Sequence, residues 1–440
     1  MNHPIIAPPK GLVIAAPNSN TGKTVFTMGL VGALRARGQK VEVAKAGPGF
    51  IDPQFLSLAT GRACYNLDKW ALGAAQLQAR AHQIAEASDL LIIEGMMGMF
   101  DGAASMNGST ADIATALDLP VLLLVDASGQ AQSIAALVHG FATLRPEPRV
   151  CGVVATRVGS PGHAEMLREA LQETQIPFLG TVMRSDDLTI PSRHLGLVQA
   201  DEQPAPVQLA EAAAEAVSSG VDMEAVLSLA QPMAANQTVT PLPPLGQRIA
   251  VARDLAFSFA YPHILNDWRA QGAEIKEFSP LANEAPDDDC DAVYLPGGYP
   301  ELHCEAISHA DEFMSGLRSA AARNAVIYGE CGGYMVLGRA LIDADGTGHE
   351  MAGLLDHVTS FKDQKMHIGY RQLLPAHSDI WTDNLRGHEF HWSTIQEAGS
   401  DAPLFRQTDA RNVDLGPSGG RRGTVMGSYA HIIARAPTKA

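Results

Sequence analysis

Two short runs in this chain carry side chains whose types and spacing could do chemistry. The first is APNSNTGKT, residues 16–24. Its core of Gly22, Lys23 and Thr24 falls between an apolar stretch, 12–16, and an amphipathic one from 24 to 37 that ends at Gly38. Strand, glycine-bearing loop and helix, in that order, is what a phosphate-binding loop requires. Backbone N–H groups along Asn20, Thr21 and Gly22, with the helix N-terminus, would face phosphate oxygens. Lys23 would neutralise the outer phosphates and Thr24 would ligate Mg2+. The usual first glycine is Pro17 here. A helix start that merely contains these residues is the plainer alternative, but the order of elements favours the loop.

The second run is GECGG, residues 329–333, after an apolar stretch and before YMVLGRALI, which is helical in pattern. A nucleophile on a sharp strand-to-helix turn needs small neighbours, because the backbone is strained and the side chain must stand clear. Cys331 is that nucleophile. The helix N-terminus is expected to lower its thiol pKa, and the Gly332 N–H to stabilise an oxyanion. The loop after a neighbouring strand, PGGYPE at 296–301, could supply a second donor from Gly298. A base is also needed. His431, in GSYAH near the C-terminus, is the leading candidate among fifteen histidines, with His388 and His391 next. Cys64, Cys151, Cys290 and Cys304 sit on no such turn and are expected to be buried small hydrophobes.

Two carboxylates could serve the phosphate loop. Glu94 ends the buried run LLIIE and begins EGMMGMFDG, where it is a Mg2+ ligand, a water organiser or a helix-capping acid. Asp52 lies in GPGFIDP, residues 47–53, as a metal or substrate ligand or an Asx-turn residue.

These side chains must be positioned by alternating elements. Strands are expected at 12–16, 41–44, 90–94, 121–126, 150–156 and 178–182, with helices between. That pattern implies a doubly wound, mostly parallel sheet, and such sheets bind ligands beyond the carboxyl ends of their strands. Residues 1–229 form this first domain. Residues 230–246, rich in Pro, Ala and Thr, read as a linker. The strand–helix pattern restarts in a second α/β domain, 247–440, with strands at 248–253, 273–278, 291–295 and 325–328 and a helix at 262–271. At 440 residues and 46% hydrophobic content, two well-filled cores are the natural expectation. A net charge of −16 repels nucleic-acid phosphates. Five scattered cysteines without a CxxC pair point to a reducing compartment. With no convincing signal peptide and no apolar run long enough for a membrane span, a cytoplasmic protein is expected.

The ordered motifs resemble those of the cobyrinic and hydrogenobyrinic acid a,c-diamide synthases. The likeness rests on APNSNTGKT, KAGPGFIDP, TGRACYNLD, EGMMGMFDG and VVATRVGSPGHAEMLREAL in the first half. In the second it rests on LPGGYPE, YGECGGYMVLG, RGHEFHWS and GSYAH. The resemblance implies a P-loop domain like dethiobiotin synthetase followed by a flavodoxin-like class I glutamine amidotransferase domain. It implies that ATP and Mg2+ phosphorylate a corrinoid carboxylate, that Cys331 and His431 release ammonia from glutamine, and that ammonia displaces phosphate to form the amide. The family usually has Asp where Gly49 stands and Gly where Asn20 stands. Ile432 and Ile433 follow His431, so no acid completes a triad there, and the resemblance implies a Cys–His dyad. Hydrogenobyrinic acid is favoured over cobyrinic acid as substrate, and a nickel-sirohydrochlorin diamide synthase would share the same motifs. A partitioning-type P-loop ATPase with a partner-binding second domain is the non-enzymatic alternative, and Cys331 argues against it. A homodimer is compatible with these features.

Overall fold

The computed structural model describes residues 8–193, 196–233 and 238–437. The N-terminal stretch read for a signal peptide lies partly outside these residues, as do 234–237 of the expected linker. The chain divides into two compact units, 1–240 and 241–440.

In the first unit, strands β1 (Lys10–Ala15), β2 (Val41–Ala46), β3 (Tyr65–Leu67), β4 (Leu90–Glu94), β5 (Val121–Asp126), β6 (Val150–Val158) and β7 (Phe178–Met183) form one sheet in the order β3-β2-β4-β1-β5-β6-β7. All of these pairs are parallel. β1, β2 and β4 are almost wholly buried, as strands covered on both faces must be, which is why they read as continuous apolar runs. Helices α1 (Lys23–Ala36), α2 (Ile51–Thr60), α3 (Lys69–Ala85), α4 (Thr110–Leu117), α5 (Ile134–Thr143), α6 (Pro161–Leu171) and α7 (Pro206–Gly220) join or cover the strands. Asp68 caps α3 through the Ala71 N–H. Ser109 and Asp112 form a reciprocal capping box on α4.

Parts of the expected linker pack against the first unit or are buried. Gln231 and Pro232 pair antiparallel with Gly11 and Lys10 of β1. Met233, Leu242 and Leu245 are buried. Apolar side chains in a Pro-rich stretch still gain by leaving water.

The second unit opens with a six-stranded sheet. Its order is Glu274–Phe278, Arg248–Ala252, Ala292–Leu295, Val326–Glu330, Val425–Ser428 and Gly420–Arg422, parallel except for the last. The helical pattern expected over 334–342 ends early. The helix is Gly332–Leu337, and Ala340–Ile342 is a strand. Gly338 turns between them where a Cβ would lie 2.7 Å from the His357 carbonyl oxygen. A four-stranded and a five-stranded sheet follow, and the latter pairs Leu385–His391 with His431–Arg435.

Helix α1 meets α7 at Gly29, where a Cβ would lie 2.4 Å from the Ala213 carbonyl oxygen. Gly29→Ala must push the helices apart and is expected to destabilise the first unit by about 1–3 kcal/mol, read from the midpoint of urea unfolding.

Candidate active sites

The first site lies at the carboxyl ends of three adjacent strands. β2 and β1 both flank β4, and Glu94 is the parallel-register partner of Lys45 on one side and of Ile14 on the other. The loop after β1 carries Asn20 at φ 61° and Gly22 at φ 82°. These left-handed positions show why Asn can stand in for glycine at 20. The Thr156 hydroxyl of β6 donates to the Thr21 carbonyl at 2.9 Å and ties the loop to the sheet. Lys23, nearly buried, donates to the carbonyls of Asn18 at 2.9 Å and Met97 at 2.7 Å. Burial, with help from the Lys45 charge, lowers its ammonium to about 8.

Thr24, Asp52 and Glu94 come together around a residue that the motif analysis passed over. Lys45 Nζ lies 2.6 Å from Asp52 Oδ2 and 2.6 Å from Glu94 Oε1. The Thr24 hydroxyl donates to the same Glu94 oxygen at 3.0 Å. Burial pulls the Lys45 ammonium down, but the two carboxylates outweigh it and hold it above the ordinary lysine range. A lysine inside the buried strand VEVAKA was the available signal, since a buried charge needs a partner. Asp101, which accepts from the Gly98 N–H at 2.9 Å, was also passed over.

Two carboxylates and a hydroxyl are oxygen donors of the kind Mg2+ takes, usually one or two from protein with phosphate oxygens completing the shell. Glu94 Oε2 is buried with no hydrogen-bond partner among the described residues, so the donor set fits such an ion. Those residues hold no group of three or more His, Cys, Asp and Glu side chains suited to a metal. At Gly49 a Cβ would meet no atom within 4 Å, so an Asp there would be sterically free.

The second site centres on Cys331, between strand Val326–Glu330 and helix Gly332–Leu337, with φ 48° and ψ −105°. The strain and the glycines belong together. A Cβ on Gly333 would lie 2.0 Å from the Leu295 carbonyl oxygen. One on Gly298 would lie 2.0 Å from the Ala256 carbonyl oxygen. One on Gly332 would lie 3.2 Å from the Gly298 nitrogen, so the two expected oxyanion donors are neighbours. A Cβ on Gly297 would meet His431 Cε1 at 2.4 Å, His431 Nε2 at 3.1 Å and Cys331 Cβ at 3.2 Å. The imidazole and the thiol therefore flank one point of backbone.

The other histidine candidates sit beside this pair. His388 is the register partner of His431, and its ring meets Tyr370 edge-on. His391 Nδ1 donates to the Ser393 carbonyl at 3.0 Å, and the ring stacks on Tyr429. Cys331, His431 and Glu330 are all buried. Contrary to the sequence expectation, burial, aided by the Glu301 charge, pushes the Cys331 thiol well up, and the helix N-terminus does not reverse it. Burial lowers His431 to about 3. The resting pair is thus a neutral thiol and a neutral imidazole. Glu330 was also passed over, although VIYGE ends on an acid just as LLIIE does.

One unit thus places a strained cysteine, a histidine and two glycines together, and the other places a lysine-bearing loop beside paired carboxylates. Residues 12–198 match the family described as CobQ/CobB/MinD/ParA nucleotide binding domain. Residues 248–439 match the CobB/CobQ-like glutamine amidotransferase domain. The chain is 50% identical over 423 residues to the hydrogenobyrinate a,c-diamide synthase of Rhizobium meliloti (strain 1021), spanning 96% of this chain and 99% of that protein. It is 48% identical over 428 residues to the protein of the same name from Brucella anthropi, spanning 96% and 98%. The chain belongs to the hydrogenobyrinate a,c-diamide synthase family. No helix among the described residues is long and apolar enough to cross a membrane.

Lys45→Met leaves Glu94 buried beside Asp52 without its cation, and is expected to cost about 3–5 kcal/mol of stability in urea unfolding. Adding Glu94→Gln should return much of it. Alkylation of Cys331 by iodoacetamide, corrected with Cys331→Ala, is expected to keep rising with pH past the ordinary thiol range of about 8.5. A plateau near neutrality would contradict the neutral resting pair.

Proposed function

We propose that this protein amidates the a and c carboxylates of hydrogenobyrinic acid, with ATP and glutamine as co-substrates. The 50% identity over nearly its whole length to a protein named for that reaction carries the reading. In the first unit a substrate carboxylate oxygen attacks the γ-phosphorus of ATP, and the bond to ADP breaks. The acyl phosphate so formed has a leaving group that a free carboxylate lacks. Ammonia attacks the acyl carbon, phosphate departs, and a proton lost from nitrogen leaves the amide. Lys23 and the N–H groups of Asn20, Thr21 and Gly22 hold the phosphates. Thr24, Asp52 and Glu94 are the residues that would hold Mg2+, which neutralises and orients phosphate oxygens when bound. Lys45 keeps the two carboxylates in place.

In the second unit the Cys331 sulfur attacks the glutamine side-chain amide. Because both partners are neutral at rest, His431 takes the thiol proton as the bond forms and passes it to the departing ammonia. The N–H groups of Gly332 and Gly298 receive the oxyanion. Water then cleaves the thioester to glutamate. We place the protein in the cytoplasm, where its five free cysteines stay reduced.

The test supplies purified protein with ATP, Mg2+ and glutamine, and offers hydrogenobyrinic acid, cobyrinic acid and nickel-sirohydrochlorin in turn. Mass spectrometry should show two amide additions on hydrogenobyrinic acid. Two additions only on another macrocycle would overturn the substrate, and a single addition that Gly49→Asp raises to two would assign the second amidation to that position. Cys331→Ala should abolish glutaminase activity but keep ammonia-fed amidation. Lys23→Ala should abolish amide formation but leave glutamine hydrolysis measurable.

A further inference from the structure

The acid absent after His431 in the sequence is present in space. Glu330 ends the strand that carries the nucleophile, and its buried carboxylate faces the imidazole. Glu330 Oε2 lies 3.7 Å from His431 Nδ1 and accepts from the Tyr294 hydroxyl at 2.7 Å. Oε1 accepts from the Tyr328 hydroxyl at 3.0 Å and from the Ile432 N–H at 3.0 Å. The last bond pins the carboxylate to the backbone next to the histidine. Since Nε2 lies on the Cys331 side of the ring, around Gly297, Nδ1 is directed toward Glu330.

We propose that Glu330 is the positioning acid of the glutaminase site, making a Cys331–His431–Glu330 triad from a carboxylate that precedes the nucleophile in sequence. This rests on the glutaminase role of Cys331 and His431 proposed above. A proton on Nδ1, shared with Glu330, leaves the Nε2 lone pair for the thiol proton, and the carboxylate stabilises the imidazolium that results. At 3.7 Å the contact is longer than a hydrogen bond. Such bonds commonly tighten only once substrate is bound.

The site offers a pH signature. Burial pushes the Glu330 carboxyl up to about 7, with the Ile432 N–H and the two tyrosines pulling against it. The groups around it do not titrate near there. Burial holds Tyr294 and Tyr328 well above their ordinary values. His431, His388 and His391, on the two facing strands, are lowered by burial to about 3. Only the ionised carboxylate can accept the Nδ1 proton and balance the imidazolium. Glutaminase activity should therefore rise with pH through about 7.

The experiment measures glutaminase kcat, KM and their pH profiles for wild type, Glu330→Gln, Glu330→Asp and Cys331→Ala in the full-length chain. Glu330→Gln, which keeps the shape and one of the two acceptor oxygens, should lower kcat at least about tenfold with little change in KM. It should also erase the acid limb near pH 7, and Glu330→Asp should restore part of both. Ammonia-fed amide formation, which bypasses glutamine hydrolysis, reports that the rest of the chain is intact. Cys331→Ala inactive with Glu330→Gln at wild-type kcat would overturn the triad and leave the nucleophile standing. Glutaminase activity surviving in Cys331→Ala would overturn the nucleophile itself. Should Glu330→Gln fold poorly, the wild-type profile decides, since no acid limb near 7 would also overturn the proposal.

Discussion

Parallel strands cannot be joined by a tight turn, so every connection must cross over a face of the sheet and return at the same edge. That constraint places all the strand-to-helix loops of each unit at one edge, where the chemistry of this protein is gathered. In the first unit β2, β4 and β1 are neighbours, so the loops that follow them converge although they lie far apart in sequence. In the second, Ala292–Leu295, Val326–Glu330 and Val425–Ser428 are neighbours, and the glycine loop, Cys331 and the approach to His431 converge likewise.

The two edges handle buried charge in opposite ways. Around Lys45 the cost of taking ions out of water is offset by pairing. One ammonium serves two carboxylates at 2.6 Å each, and the register of two parallel strands fixes one of those contacts. Around Cys331 burial dominates even with the Glu330 carboxyl near His431, so thiol and imidazole are both driven toward neutrality. The first site keeps its charges paired, and the second leaves its thiol and imidazole neutral.

The motifs made much of this legible. The phosphate loop, the strand end at Glu94 and the turn around Cys331 are local patterns in which an apolar run, small residues and a helix follow within a few positions. The stretch from 340 to 418 shows little local pattern. Several of its strands have only three to five residues, and others pair across dozens of positions, as His367–Pro375 does with Phe405–Asp409. A strand's exposure and register depend on partners that a single sequence does not display.

The sequence by itself determined the two-part α/β architecture, the family likeness and the residues with evident reactive chemistry, because these follow from local periodicity and composition. The tertiary structure alone decided what those residues meet. It set Lys45 between Asp52 and Glu94, because adjacent strands bring residues 45 and 94 into register. It raised the Cys331 thiol where a helix terminus had suggested the reverse, because desolvation in a packed interior outweighs a six-residue helix. It also set Glu330 beside His431, about a hundred positions along the chain, because Val425–Ser428 pairs in parallel with the nucleophile's strand and leads into His431.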